Sequence, residues 1–305
     1  MEAGSPSRPA GVHQPVLLAE TLEWLAPAPG PAFMVDGTLG LGGHAAAFLD
    51  RYPQLTLLGI DVDEELLAQA RTRLRRFGER VQLAVGWCAD ALAGAAASPG
   101  RRVDRLLLDL GVSLHHFHAS GRGFSIRGDE PLDMRLDRQA PRTAADIVNE
   151  EPETELANLL FELGGERRSR QIAAAIVASR RSERIMTTAQ LEELVWQATP
   201  ARERHGRIHP ATRTFQALRI AVNDELGQLA AALRAGLACL GPRGRVGVIS
   251  FHSLEDRIVK AFFRDSEELR VLTAKPLRAG EQERVANPPS RSARLRVAER
   301  SEAAA

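Results

Sequence analysis

The chain has 305 residues, 44% hydrophobic and 26% charged, a globular composition long enough for one large domain or two modest ones. The net charge of +1 excludes an overall basic signature, so any nucleic-acid binding must come from local patches. Two cysteines, Cys88 and Cys239, are too few for a disulfide framework and favour a reducing, cytoplasmic compartment, and no apolar run reaches transmembrane length. Residues 1–11 lack an apolar core and predict a disordered tail rather than a signal peptide, and residues 299–305 predict a flexible tail.

The first predicted elements surround a glycine-rich turn. A helix is predicted over Val16–Leu25, and a short buried strand over Phe33–Val35 that Asp36 ends. Four glycines fall between residues 37 and 43, and a helical run begins at His44. A strand that breaks into glycines and re-enters as a helix is typical of a nucleotide pocket, because ligands approach glycine closely and the helix N-terminus presents free N–H groups.

Two ligand classes use such a turn. Residues 40–45 fit the dinucleotide pattern G-x-G-x-x-A, which is a weak signal by itself. Asp36 would repel a pyrophosphate but suits the ammonium of S-adenosylmethionine, so we interpret the turn as a site for that cofactor. The next strand, Leu55–Ile60, ends in Asp61, about 20 residues after the glycines, where a carboxylate can accept bonds from ribose hydroxyls. Asp61 supports an adenosine ligand without separating it from NAD.

The following elements continue a strand and helix alternation. An amphipathic helix is predicted over Glu64–Phe77, a strand over Val81–Val85 and another over Val103–Leu110. Continuous apolar strands of this kind suit a parallel sheet covered on both faces, and the alternation indicates a doubly wound α/β fold. Ligands bind at the carboxyl ends of such strands, where the pattern places Asp36, Asp61 and Asp109.

The alternation is interrupted after Asp109. The next strand is Arg245–Phe251, about 135 residues later, whereas a βαβ crossover needs about 30. A long helix over Arg213–Leu240 is predicted as the crossover, and the residues before it predict an inserted helical subdomain. The remaining predictions are insert helices over 145–163, 166–182 and 188–198, a helix over Glu255–Arg264 and an edge strand over Ala293–Val297.

Two zones carry excess positive charge. Residues 164–214 contain ten arginines and five glutamates, and residues 270–296 contain seven basic residues and two glutamates, a net charge of +5 each. Phosphate contacts supply much of the affinity of proteins for nucleic acids, so the two zones suit an RNA partner. Solvated helix faces are the alternative explanation.

Several motifs resemble one known family, that of ribosomal RNA small subunit methyltransferase H. The residues that carry the resemblance are His13–Leu18, Asp36–His44, Asp109–Ser113, Arg122–Ser125, Leu132–Arg135, Thr214–Arg219, Ser250–Asp256 and Arg291–Arg296. The resemblance runs in consistent order from about residue 12 to residue 298.

The resemblance implies a class I (Rossmann-like) methyltransferase sheet with an inserted helical subdomain. It implies transfer of a methyl group from S-adenosylmethionine to N4 of a cytidine in the decoding centre of 16S rRNA, with the small ribosomal subunit as partner. A homodimer is compatible with it, and a membrane is not a partner. The domains would be residues 12–112 with 213–298 for the methyltransferase and 113–212 for the substrate-recognition insert.

The family's cofactor residues carry over position by position. Those that match are Gly42, Gly43 and His44 of the turn, Asp61 for the ribose, and Asp109 beside the methionine of the donor. Trp87 stands where the family usually has Phe, and its indole can still stack on adenine. His116 stands where the family often has Gln, within the segment Leu114–His118, which departs from the family pattern.

The transfer needs a group that orients a poorly nucleophilic amine in line with the methyl group. Asp109 is the predicted orienting residue, with Asp133 and His252 as weaker catalytic candidates. Asp133 alternatively forms a structural pair with Arg135. The predicted substrate contacts are Phe124, Arg135, Ser253, Arg291 and Arg294. No metal is predicted, because His115, His116 and His118 have no Cys, Asp or Glu among or beside them.

Two further hypotheses stay open from the sequence. One is a nicotinamide-dependent dehydrogenase built on the same turn, which Asp36 opposes. The other is a non-catalytic RNA-binding or assembly factor that keeps the cofactor pocket, which the altered segment Leu114–His118 allows. Stabilisation by NAD alone would favour the first, and rRNA methylation that does not change on deletion of the protein would favour the second.

Overall fold

The computed structural model describes residues 14–96, 102–206 and 208–302, so the predicted tail over residues 1–11 lies outside the described residues. A seven-stranded sheet runs in the order β3-β2-β1-β4-β5-β7-β6. The strands are β1 (Ala32–Asp36), β2 (Leu55–Asp61), β3 (Val81–Val85), β4 (Val103–Asp109), β5 (Leu240–Ser250), β6 (Leu269–Val271) and β7 (Arg294–Arg300). Strands β1 to β5 are parallel to one another, whereas β7 is antiparallel to both β5 and β6. It is a mixed α/β sheet with a helical insert between β4 and β5, the architecture that the resemblance implied.

The helices outside the insert lie before, between and after these strands. They are α1 (Leu18–Trp24), α2 (Gly43–Arg51), α3 (Glu64–Leu74), α4 (Cys88–Ala96), α12 (Glu225–Cys239), α13 (Ser253–Asp265) and α14 (Glu281–Ala286). Two hydrophobic cores cover the two faces of the sheet, one containing Phe48 and Met34 and the other Leu106 and Phe263. The predicted burial on both faces is confirmed for β1, β2 and β4, whereas no residue of β3 is buried.

The insert has a hydrophobic core of its own. Its helices are α5 (Leu114–His118), α6 (Ala144–Glu150), α7 (Glu153–Gly164), α8 (Ser169–Arg180), α9 (Thr188–Ala198) and α10 (Ala201–Arg204), followed by α11 (Thr212–Val222). Phe215 and Leu218 of α11 are buried in this core beside Leu160 and Ile176. The insert therefore includes α11, whereas the sequence placed its boundary at residue 212.

Two predicted helices are each interrupted. The long helix over Arg213–Leu240 is wrong, because α11 ends at Val222 and α12 begins at Glu225 after Asp224, whose φ is 43°. Asn223 at the break accepts a hydrogen bond from the Leu136 N–H and donates one to the Met134 carbonyl, each over 2.8 Å. These bonds outside the helix hold the chain in its turn. The predicted helix 145–163 is likewise two helices, separated at Pro152, which the first turn of α7 tolerates and a helix interior does not.

The carboxyl-terminal strand is also placed differently from the prediction. β7 pairs with β5 on one side and β6 on the other, so it is an interior strand rather than an edge strand. The short strand β6, which the sequence did not indicate, forms the edge. β7 reaches Arg300, so residues 299 and 300 belong to the sheet although the sequence placed them in the tail. None of the helices that the structure describes is long and apolar enough to cross a membrane.

Candidate active site

A cavity of about 710 Å³ opens at the carboxyl ends of the parallel strands. Its wall contains the glycine turn and Asp61 on the β1 and β2 side, and His252 on the β5 side. Asp109 also lines the cavity and lies at the end of β4, between these two sides in the strand order. The sequence prediction that Asp36, Asp61 and Asp109 follow neighbouring strands is confirmed.

The glycine turn is fixed to the end of β2 by backbone hydrogen bonds. The Leu39 N–H donates to the Ile60 carbonyl over 2.8 Å, and the Gly40 N–H donates to Asp61 Oδ2 over 2.7 Å. Gly42 precedes α2 with a φ of 71°, a left-handed conformation that favours glycine. A Cβ at Gly43 would lie only 2.6 Å from Pro15 Cγ, so a side chain there would displace the neighbouring segment. The turn thus brings the backbone of the α2 N-terminus directly to the cavity wall.

Asp61 is both a support for this turn and a group of the cavity wall. Its Oδ1 accepts the Asp63 N–H over 2.9 Å, while its Oδ2 accepts the Gly40 N–H. Burial raises the pKa of Asp61, and the hydrogen bonds from Asp63 and Gly40 oppose this only in part. Each carboxylate oxygen keeps a second lone-pair direction, which can accept a hydroxyl from a sugar. The arrangement fits the predicted ribose contact.

Asp36 lies behind the cavity wall rather than on it. Its side chain is 1% exposed, and the wall beside it is formed by Gly37 and Thr38. Burial raises the pKa of Asp36 to about 7; His44 lowers it, while Asp109 raises it further. The structure therefore does not bring Asp36 to the place where the sequence expected it to bind the ammonium group of the cofactor.

The raised pKa of Asp36 predicts how stability depends on pH. Between pH 3.8 and about 7 the folded chain keeps a proton that the unfolded chain loses, so the free energy of unfolding falls as the pH rises. Asp36→Asn should remove this contribution and increase the free energy of unfolding at pH 8 by about 2–4 kcal/mol. Urea unfolding of both proteins at pH 5 and pH 8 measures the effect. An equal difference between variant and wild type at both pH values would contradict the prediction.

His44 and Asp109 present polar atoms to the cavity. His44 is 6% exposed, and its Nε2 lies 3.5 Å from Asp109 Oδ2. Among the described residues, neither ring nitrogen of His44 has a hydrogen-bond partner, and Asp109 Oδ1 has none either. The backbone of Asp109 is held in place because its N–H donates to Thr38 Oγ1 over 2.6 Å. Buried polar atoms without partners are costly, and here they line a cavity that a polar ligand can enter.

His116 and Trp87 differ in how they fit their predicted cofactor roles. Trp87 is half-buried on the cavity wall just after β3, where an indole can stack on a base. His116 also lines the cavity, but its Nδ1 accepts the Ser113 N–H over 3.1 Å and its Nε2 lies 2.9 Å from Asp63 Oδ2. Both ring nitrogens of His116 are therefore occupied within the protein. Its ring centre lies 5.0 Å from that of Phe124, so the remaining contact it offers is a ring face or edge.

Phe124 and the pair of Asp133 and Arg135 have different surroundings. Phe124 is 5% exposed and lines the cavity, as a base-stacking candidate should. Asp133 accepts from Arg135 Nε over 2.7 Å and from Nη2 over 2.9 Å, and neither residue is part of the cavity wall. Burial would raise the pKa of Asp133, but Arg135 outweighs this and lowers it. The geometry favours the structural pair that the sequence left as the alternative.

The other predicted substrate contacts lie outside the cavity wall. Ser253 is exposed at the start of α13, and Arg291 is exposed with its Nε donating to the Arg284 carbonyl over 2.9 Å. Arg294 Nη1 lies 3.7 Å from Asp256 Oδ2. These three residues remain available only for contacts beyond the cavity.

A charged cluster on the β5 side of the cavity was only partly anticipated. Arg219 donates to Glu225 through Nε over 2.7 Å and through Nη2 over 2.9 Å. His252 caps α13, with its Nε2 3.1 Å from Glu255 Oε1. Burial would raise the pKa of Glu255, but hydrogen bonds from the His252 side chain and from the Phe251 and His252 N–H groups outweigh it and lower the pKa. The sequence named His252, while Arg219 and Glu255 were present only as members of the recognised motifs.

Three members of the cluster have a spacing that a metal ion could use. Ligand atoms of Glu225, His252 and Glu255 lie within 4.8 Å of one another. Both carboxylate oxygens of Glu225 are, however, already bound by the Arg219 guanidinium. A cation would have to displace this guanidinium, so the donor set fits an ion-pair network better than a metal site.

Most of the chain is similar to proteins that already have names. Residues 10–301 match the MraW methylase family. A ribosomal RNA small subunit methyltransferase H from Treponema denticola is 47% identical over 304 residues, covering 94% of this chain and 96% of the relative. A protein of the same name from Synechococcus sp. (strain RCC307) is 49% identical over 290 residues, covering 94% of this chain and 95% of the relative. A solved rRNA methylase from Streptococcus thermophilus covers 96% of this chain and 99% of its own, with 11% identity and a TM-score of 0.46.

Proposed function

Because this chain belongs to the MraW methylase family, we propose that it transfers a methyl group from S-adenosylmethionine to N4 of a cytidine in 16S rRNA. The observation that carries the proposal within the site is that, among the described residues, His44 Nδ1 and Asp109 Oδ1 have no hydrogen-bond partner on the cavity wall. These two residues lie between the glycine turn, where the cofactor is proposed to bind, and the part of the cavity beside β5. The reaction would take place in the cytoplasm, where small ribosomal subunits are assembled.

The charges around the glycine turn favour S-adenosylmethionine over a dinucleotide. Asp61 and Asp109 line the cavity there, and Asp36 lies beneath it. A sulfonium and an ammonium group gain from nearby carboxylates, whereas a pyrophosphate would be repelled by them. Asp61 would hold the ribose, Trp87 would stack on the adenine, and the N-terminus of α2 would face the carboxylate of the methionine.

The residues around Asp109 can prepare the amine for attack. When bound, S-adenosylmethionine supplies an electrophilic methyl group on its sulfonium. The cytosine amine is a poor nucleophile because its lone pair is delocalised into the ring. Asp109 Oδ1, which has no partner among the described residues, would accept an N–H of the amine and direct its lone pair towards the methyl group. Since the base must leave its stack to reach this position, Phe124 would offer it a new stacking partner.

The insert offers a basic groove for the rest of the RNA. The groove has a volume of about 1030 Å³ and is lined by Arg167, Arg168, Arg170 and Arg213. Arg168 is paired with Glu203, but Arg167 and Arg170 are exposed and have no ion-pair partner in the described part of the chain. Free guanidinium groups on one groove suit phosphates.

Removing these two charges should weaken RNA binding more than catalysis. We expect the double variant Arg167→Ala with Arg170→Ala to raise KM for small subunits about tenfold and to leave kcat nearly unchanged. The slope of log K for binding against log salt concentration should become shallower by about two units, one for each lost phosphate contact. The matched control is Arg71→Ala with Arg75→Ala, which removes two exposed charges from the α3 region. Equal effects in both double variants would show that only overall charge matters.

The proposed activity is tested by nucleoside mapping. The purified protein is incubated with small subunits from a strain lacking it and with labelled S-adenosylmethionine, and the rRNA is digested and analysed by mass spectrometry. The proposal predicts one new N4-methylcytidine. Unchanged nucleosides would leave a binding or assembly role, and thermal stabilisation by NAD but not by S-adenosylmethionine would overturn the cofactor.

A further inference from the structure

The cavity continues past Asp109 into a second lobe, whose wall contains Arg219, Glu225 and His252. β4 and β5 are parallel neighbours, with Asp109 opposite Ile249 and the Leu110 N–H donating to the Ile249 carbonyl over 2.8 Å. His252 follows three residues after Ile249, so Asp109 and the start of α13 lie at the same edge of the sheet. The glycine turn and Asp61 lie on the other side of β4. A base whose amine reaches Asp109 would therefore occupy this second lobe.

Arg219 is held rigidly in the wall of this lobe. Its Nε and Nη2 bind both oxygens of Glu225, and the side chains of the two residues are only 14% and 13% exposed. Glu225 begins α12, immediately after the turn at Asn223 and Asp224, so the pair spans the break between α11 and α12. A guanidinium has five N–H groups, and this fork uses two of them. No described residue accepts from Nη1, which leaves fixed donors beside the cavity.

The donors of Arg219 match the acceptors of one base. Beside its N4 amine, cytosine presents two acceptors, the ring nitrogen N3 and the carbonyl O2. With Asp109 accepting from the amine, a donor is required next to it at N3. Uracil would present an N–H at N3 and a carbonyl in place of the amine, and would therefore face donor against donor and acceptor against acceptor. A buried site with such fixed groups rejects a mismatched ligand strongly, because its polar groups are left unpaired.

We propose that Arg219 reads the ring of the target cytosine through its Nη1, donating to N3, and that Glu225 is the positioning residue that aims it. The inference rests on the proposed function, since it concerns the base that is methylated. A purely structural role, in which the pair only joins α11 to α12, predicts lower stability but no sensitivity to a single atom of the base.

The test removes N3 of the target base and the Arg219 side chain that is proposed to bind it, first separately and then together. Small subunits are reconstituted with 16S rRNA that carries either cytidine or 3-deazacytidine at the target, and kcat/KM is measured for each. The variant Arg219→Met with Glu225→Leu removes both charges at once, so that no unpaired buried charge remains. Thermal unfolding and calorimetry with S-adenosylmethionine verify that this variant folds and binds the cofactor, and Glu225→Gln alone tests the positioning role.

The proposal predicts that loss of N3 lowers kcat/KM about 10- to 100-fold for the wild type and less than about threefold for the double variant, because the atom has then lost its partner. Glu225→Gln should give an intermediate penalty. Equal penalties in wild type and double variant would overturn the role of Arg219. Failure of the wild type to methylate even the cytidine subunits would instead overturn the proposed function.

Discussion

Asp109→Ala is expected to lower kcat for methyl transfer by about 100-fold or more, with a much smaller change in KM for RNA. Asp109 Oδ1 is buried on the cavity wall without a partner among the described residues, and the backbone of Asp109 is fixed by Thr38, so the carboxylate is preorganised for a ligand. A positioned acceptor or base typically contributes about 10²–10⁴ to the rate. Asp109→Asn keeps an oxygen that can accept the amine N–H and should lose only about tenfold. Single-turnover kinetics with saturating cofactor measure the chemical step directly.

The control for Asp109 is the other predicted acid, Asp133. Its carboxylate is bound by Arg135 away from the cavity wall, so Asp133→Asn should lower stability while leaving kcat within about twofold of the wild type. If Asp133→Asn lost activity and Asp109→Ala did not, the assignment of the two residues would be reversed.

Asp61→Asn is expected to weaken S-adenosylmethionine binding about 100-fold, although the two side chains have the same shape. Both carboxylate oxygens accept backbone N–H groups, from Gly40 and Asp63, so the amide nitrogen of Asn would face a donor on one side. The charge that the ribose hydroxyls would bind is lost as well, and hydrogen bonds to charged groups are worth about 1.5–3 kcal/mol each. Titration calorimetry gives Kd directly.

The matched control for Asp61 is Asp50→Asn. Asp50 is an exposed residue of α2 that is paired with Arg76 on the surface. This variant removes one carboxylate without touching the cavity, so its Kd for S-adenosylmethionine should stay at the wild-type value. Asp61→Asn with an unchanged Kd would show that the ribose is held elsewhere.

The strands and their acidic ends could be predicted because their signals are local. Leu106, Leu107 and Leu108 form a continuous apolar run, which is typical of a strand covered on both faces, and the aspartate that follows marks its end. The glycines before α2 likewise reveal the turn without any knowledge of distant residues. In such segments the residue types themselves predict the local burial and conformation, and the structure confirms these predictions.

The features that could not be predicted depend on distant partners. The break after Val222 is held by bonds from Asn223 to Met134 and Leu136, nearly ninety positions earlier in the chain. An apolar helical period continues across the break, so the pattern alone favours one long helix. Arg219 and Glu225 face each other only because of this break, which is why their pairing in the cavity wall was not expected.

The predicted functional residues divide in the same way. Those on the cofactor side follow strands or the glycine turn, and the structure brings His44, Asp61, Trp87 and Asp109 to one cavity. Arg135, Ser253, Arg291 and Arg294 were expected from motif membership, and the structure keeps them off its wall. Membership of a motif therefore does not show whether a side chain binds a ligand or forms an ion pair within the protein.

Asp61 and Asp109 are expected to hold S-adenosylmethionine with its methyl group directed towards the β5 side of the cavity. A crystal structure of the protein with S-adenosylhomocysteine tests it most directly. We expect the ribose hydroxyls on Asp61, the adenine against Trp87, and the sulfur beside Asp109, facing the lobe that contains Arg219. A ligand bound elsewhere, or a sulfur facing away from Asp109, would contradict it.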